Sequence, residues 1–168
     1  MISASSSHST ETKGYSEAGF TMIEILVALV ILSIALLGLA GLQITSLQGG
    51  NNAYLRSQAT LYTQDVIERM RANRTAAIAE NYDITLAAGI PAATGTVAEA
   101  DINDWLRNIS GTNQDGTVDA TRTRGSLPEG DGSVDYNAGT QMVTVTVKWT
   151  DNYGGVLSYP QIQIVTRL

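Results

Sequence analysis

The chain has no cysteine, and its one histidine, His8, lies in a serine- and threonine-rich stretch. Without thiols neither a disulfide framework nor a thiolate metal site is possible, and cysteine usage says nothing of the compartment. A histidine with no apolar neighbours reads as a solvated side chain. The usual nucleophile–base pairs, zinc centres and imidazole general bases are thereby removed, and no motif marks a carboxylate pair. An enzyme is therefore not expected, and no cofactor or metal is implied. Basic charge is also scarce. Ten Lys and Arg face 16 Asp and Glu, a net charge of −6, which argues against a nucleic-acid partner because polyanions are held by basic surfaces. Arg69, Arg71 and Arg74 form the one basic stripe, but Asp65 and Glu68 are interleaved with it at helical spacing. That pattern reads as a solvated, salt-bridged helix face.

One long apolar run stands against these absences. From Phe20 to Leu42 the only charge is Glu24. At ~1.5 Å per helical residue this run covers roughly 34 Å, enough for a hydrocarbon core of ~30 Å. It is apolar on every side, whereas a core helix of a small soluble domain carries a polar face. A membrane span is expected. A cleaved secretory signal fits poorly, because the apolar region is too long and the preceding residues offer only Lys13 against Glu11 and Glu17. The weakly charged flanks leave orientation undetermined. An acid inside a span costs ~2.5–3.5 kcal/mol at the helix centre and less near the interface, so Glu24 is a functional-site candidate by default.

The stretch "GFTMIE", Gly19 to Glu24, resembles the processing site of type IV pilins and pseudopilins. The resemblance implies that a prepilin peptidase cuts between Gly19 and Phe20, that Phe20 is then N-methylated, and that Glu24 serves subunit pairing during assembly. A glycine before the scissile bond lets an extended backbone approach a protease closely. The implied partner of Glu24 is the new α-ammonium, on the same chain or on a neighbour. "ALLGLAGLQ", Ala35 to Gln43, "IERMRANR", Ile67 to Arg74, and "DINDWLRNI", Asp101 to Ile109, are similar to the PilV type of minor pilin. Gly38 and Gly41 each cost ~1 kcal/mol of helix propensity relative to alanine. They mark a place where the helix would loosen, with a small-residue packing contact as the competing reading.

The function so implied is that of a minor pilin precursor, a structural subunit taking part in type IV pilus assembly within a priming or tip complex. Its partners would be the prepilin peptidase, other minor and major pilins, the assembly machinery of the inner membrane, and inner-membrane lipid. It would cross the inner membrane once, leader in the cytoplasm and C-terminal domain in the periplasm, and then enter the pilus. Two alternatives stand beside it. One is a minor pseudopilin of a type II secretion system, and the other a membrane-anchored adhesin or binding module using the loops of residues 110–140.

The expected fold is α+β and pilin-like, a long N-terminal helix packed on a small antiparallel sheet. The expected divisions are a leader at 1–19, a transmembrane half-helix at 20–42, an amphipathic half at 43–76 and a globular head at 77–168. Leu55, Ala59, Tyr62, Val66 and Met70 form one apolar helical stripe, while Gly49-Gly50-Asn51-Asn52 is a candidate break. Residues 80–96 read as a loop. Thr96 to Glu99 has the capping-box pattern, opening a helix with Ile102, Trp105, Leu106 and Ile109 on one face. Residues 110–140 read as surface loops with at most one short strand. Val143, Val145, Val147 and Trp149 then alternate with polar residues, Asp151 to Gly155 supplies a turn, and Ile162 and Ile164 continue the alternation. Asp131, Ser133 and Asp135 have the spacing that opens a calcium loop. Tyr136 and Met142 stand where that loop needs glycine and glutamate, so calcium is not expected.

Overall fold

The computed structural model describes residues 19–92, 95–113, 115–118, 126–153 and 155–168. Most of the leader, residues 1–18, lies outside them, as do residues 114 and 119–125 of the stretch read as surface loops. Among the described residues three helices, α1 (Met22–Ala72), α2 (Arg74–Ile78) and α3 (Val97–Ser110), precede five strands. These are β1 (Asp131–Asn137), β2 (Met142–Lys148), β3 (Asp151–Tyr153), β4 (Val156–Ser158) and β5 (Gln161–Arg167). The chain divides into two compact units between Ile44 and Thr45. The architecture is α+β, a long N-terminal helix on a small antiparallel sheet.

Gly49 to Asn52 does not break α1. Two glycines cost about 2 kcal/mol of propensity, and a tertiary bond offsets part of that loss. With its amide turned to donate, Asn52 meets the Asp151 carboxylate at 2.7 and 3.3 Å. The helix ends instead at Ala72. Asn73 leaves helical geometry (φ −120, ψ 51), and its side-chain amide donates to the Tyr82 hydroxyl. The capping box of α3 is present, with Thr96 Oγ1 accepting from Glu99 N–H and Glu99 Oε2 from Thr96 N–H, both at 3.2 Å. Gly111 closes that helix in the left-handed region, φ 67, where its N–H reaches the Arg107 carbonyl.

The main sheet has the order β1-β2-β5, antiparallel throughout. Val134 pairs with Val145 and Val145 with Ile164, so Gly132, Val134 and Tyr136 share the inner face with Val143, Val145, Val147, Ile162 and Ile164. Two expectations change at this sheet. The 110–140 stretch contains a full seven-residue strand with Val134 and Tyr136 buried, which its glycines and acids concealed. Asp151 to Gly155 is not a direct turn between β2 and β5. It belongs to a separate hairpin, β3 paired with β4, inserted between them.

The core is closed by α1 through Leu55, Ala59, Val66, Ile67 and Met70, by α3 through Ile102, Trp105, Leu106 and Ile109, and by the inner sheet face with Trp149. Trp105 ties α1 to β1. Its indole N–H donates to the Tyr62 carbonyl at 2.8 Å, and its ring lies against Gly132. A β-carbon at Gly132 would collide with the indole, 2.8 Å from Cζ3 and 3.1 Å from Cζ2. That ring is fully buried and has nowhere to retreat. Gly132→Ala is therefore expected to lower stability by ~1–3 kcal/mol through overpacking. Thermal unfolding of the full chain in detergent checks this, and an unchanged midpoint would contradict the packing.

Candidate functional site

Gly19, Phe20 and Thr21 precede α1 in non-helical backbone. The helix starts at Met22 because Thr21 caps it. The Glu24 N–H bonds the Thr21 carbonyl at 3.1 Å and lies 3.4 Å from its hydroxyl oxygen. The Gly19–Phe20 bond thus sits outside the hydrogen-bonded ladder, and Phe20 is 78% exposed. Glu24 is in the first turn, where a carboxylate complements the helix dipole. Every residue from 19 to 47 is exposed. This segment holds the apolar part of α1, the one helix among the described residues long and apolar enough to cross a membrane, with a mean hydropathy of 2.9 over its best window. Gly38 and Gly41 lie within unbroken helix, and a β-carbon at either would meet nothing within 4 Å. No contact within the described residues therefore requires glycine at these two positions.

A second cluster, which the sequence disclosed only in part, joins α1 to α3. Arg69 bonds Asp65 one turn earlier at 3.1 Å, as its spacing predicts, but also Asp101 at 3.3 Å and Asp104 at 3.2 Å. Asp101 in turn accepts the Tyr82 hydroxyl at 2.6 Å. Burial, followed by that bond to a carboxylate, pushes the Tyr82 phenol up to about 12. Arg71 pairs with Glu68. The basic stripe is thus partly absorbed by helix–helix bonding, and no periodicity links residues 32 and 35 positions apart in sequence. The Arg69 bonds tie α1 to α3.

A shallow cleft of about 760 Å³ lies along β1, lined by Asp83, Ile84, Leu86, Ser133 and Asp135 among others. Asp131, Ser133 and Asp135 lie at alternate positions of β1, not in a loop. Asp131 accepts the Ala87 N–H at 2.7 Å. Among the described residues no cluster of three or more His, Cys, Asp or Glu could hold a metal. Asp83 remains exposed overall, yet its Oδ1 turns inward to the Tyr136 N–H at 3.1 Å. Loss of hydration pushes its carboxyl up to about 6, the Tyr136 bond opposes this, and Asp135 and Glu80 add to it.

A carboxyl whose folded pKa exceeds the unfolded value of ~3.9 binds its proton more tightly when folded. Its unfavourable contribution therefore develops as pH rises from about 4 through about 6 and is complete above that. Asp83→Asn, which keeps an oxygen for Tyr136, should raise stability at pH 7.5 and leave it nearly unchanged at pH 4. Solvent screening at this exposed side chain limits the gain to ~1 kcal/mol. Melting curves at the two pH values test this, and an equal gain at both would contradict lost hydration of the carboxylate as the cause.

An exposed apolar segment, opened by Gly-Phe and an acid in the first helical turn and followed by an α+β unit, is an arrangement that fits a membrane-anchored, pilin-like subunit. The chain matches the prokaryotic N-terminal methylation motif over residues 15–40. It matches the Tt1218-like family, type IV pilin Tt1218, over residues 41–100. Together these matches support a type IV pilin precursor of the kind processed by a prepilin peptidase, and the apolar helix fits anchoring in the inner membrane. Neither the curated proteins nor the solved structures yielded a match.

Proposed function

We propose that this chain is a minor pilin precursor of the PilV type, a structural subunit with no reaction of its own that helps to prime type IV pilus assembly. The observation carrying this reading is the Gly19–Phe20 junction held outside α1 by its Thr21 cap, directly ahead of a wholly exposed apolar helix. In this reading the leader, residues 1–19, stays in the cytoplasm. Residues 20–42 cross the inner membrane, residues 43–76 and the head at 77–168 stand in the periplasm, and the subunit then passes into the pilus. Phe20 becomes an N-methylated N-terminus. Glu24 pairs with that ammonium, on its own chain or on a neighbouring subunit, and methylation keeps the positive charge. Gly38 and Gly41 allow the helix to loosen on leaving the bilayer. Other minor and major pilins, the prepilin peptidase and the assembly machinery are its partners. The similarity of Ala35–Gln43 and Ile67–Arg74 to PilV-type minor pilins favours this subtype over a type II secretion pseudopilin.

Intact-mass and N-terminal peptide spectrometry of the protein recovered from membranes and from sheared pili tests the processing. An N-terminus at methylated Phe20 is expected. Retention of Met1 in pilus-associated material, or cleavage after residue 42, would overturn it.

A further inference from the structure

Both outer strands of the main sheet are edges, and they are finished differently. The free side of β1 is occupied. Ile84 exchanges two backbone bonds with Val134 at 2.9 Å, Asp83 accepts the Tyr136 N–H, and Asp131 anchors Ala87. The inner-face residues Val134 and Tyr136 are accordingly 1% and 7% exposed. On the free side of β5, among the described residues, no further strand is paired. Its inner-face residues Ile162 and Ile164 stay half-buried, although Val147 and Val145 opposite them are fully buried. The usual protections of an edge are missing too. The seven residues contain no proline or lysine, their pairing with β2 has no bulge, and the only charge is Arg167 at the end.

Beside this strand runs a cleft of about 310 Å³ whose opposite wall is α1. Ile67 and Ile164 form its apolar part, with Gln64, Glu68, Arg71 and Thr166 around them. A strand edge on one side and a helix on the other is the geometry in which an extended peptide adds to a sheet, main chain to main chain, with alternate side chains buried. The charge at its end selects the guest. Arg167 is exposed and follows Thr166, which shares the cleft with Arg71. Glu68 pairs with Arg71, and Arg167 adds a further positive charge on a chain of net charge −6.

We propose that the β5 edge accepts, as a fourth strand, an extended segment of a different polypeptide with β-branched residues at alternate positions and a carboxylate placed beside Arg167. A second copy of β5 is a poorer guest, because Gln161–Arg167 contains no carboxylate to offer. This docking goes beyond the pilin reading and does not depend on it.

The test uses the full chain in detergent micelles and a synthetic seven-residue peptide, capped at both ends, that begins with aspartate and then alternates valine and threonine, so that antiparallel addition sets the aspartate beside Arg167. A second peptide is identical except that every backbone amide is N-methylated, which removes the donors from both of its edges. The first peptide should bind saturably and slow hydrogen exchange at β5 amides by about tenfold or more. The N-methylated peptide should do neither, because it lacks the donors that a ladder needs. Arg167→Glu should weaken binding by about tenfold or more, with the melting curve unchanged. The proposal is overturned by absence of binding, by equal binding of the N-methylated peptide, by protection mapping away from β5, or by an Arg167→Glu variant that binds as well as the parent. Protection of β5 that grows with protein concentration in the absence of peptide would assign the edge to a second copy instead.

Discussion

Glu24→Ala is expected to leave the protein inserted and cleaved after Gly19 but depleted from pili. Insertion should persist or improve, because an acid has been removed from the apolar helix. Cleavage should persist because the scissile bond precedes Thr21, and the Thr21 carbonyl and hydroxyl that start α1 are contacted by the backbone N–H of residue 24, which alanine retains. Assembly differs. In the proposed pairing, a subunit moving from the bilayer into an apolar filament interior would carry a positive N-terminus, and removing the paired carboxylate would leave that charge uncompensated. The processed form should therefore accumulate in the membrane and be strongly reduced in sheared pili and in co-purified complexes with other pilins. Quantitative immunoblots of membrane and pilus fractions decide this. Recovery of the variant in pili at wild-type levels would remove the pairing role. Failure of cleavage would show that Glu24 acts at the peptidase instead.

Trp105→Ala should be the most damaging single change in the head. The indole is fully buried where α1, α3 and β1 meet, where it both bonds the Tyr62 carbonyl of α1 and fills the space opposite Gly132. Truncating a buried aromatic costs ~3–5 kcal/mol, lost transfer energy and residual cavity together. The hydrogen bond to Tyr62 disappears as well. For a unit of this size the midpoint should fall by roughly ten degrees or more, at about 4 °C per kcal/mol. Val165→Ala, on the exposed outer face of β5, is the control and should stay within ~0.5 kcal/mol of the parent. If the two variants melt alike, Trp105 is not the pivot of the core.

Much of the fold was legible because periodicity is a local property. Leu55, Ala59, Val66 and Met70 of the α1 stripe, the α3 face from Ile102 to Ile109 and the alternation from Val143 to Trp149 became core, while Tyr62 of the stripe is partly buried against it. The Thr96–Glu99 capping box formed as its spacing predicts. The candidate N-terminal site could be proposed from sequence for the same reason, since Gly19, Phe20 and Glu24 lie within one six-residue stretch. β1 was obscured because Gly132 leaves a gap in its alternation, and that gap makes sense only once Trp105 occupies it.

The sequence by itself determined the apolar helix, the acid near its start and the two-residue alternation of the sheet, because each is a pattern repeated over neighbouring residues. Only tertiary structure decided that Gly49–Asn52 stays helical, since Asn52 finds Asp151 about a hundred residues away. It alone joined Arg69 to Asp101 and Asp104. It alone left β5, among the described residues, without a further paired strand while Ile84 covers β1. Long-range pairs have no period, and which edge of a sheet is covered depends on where a distant segment of chain comes to rest.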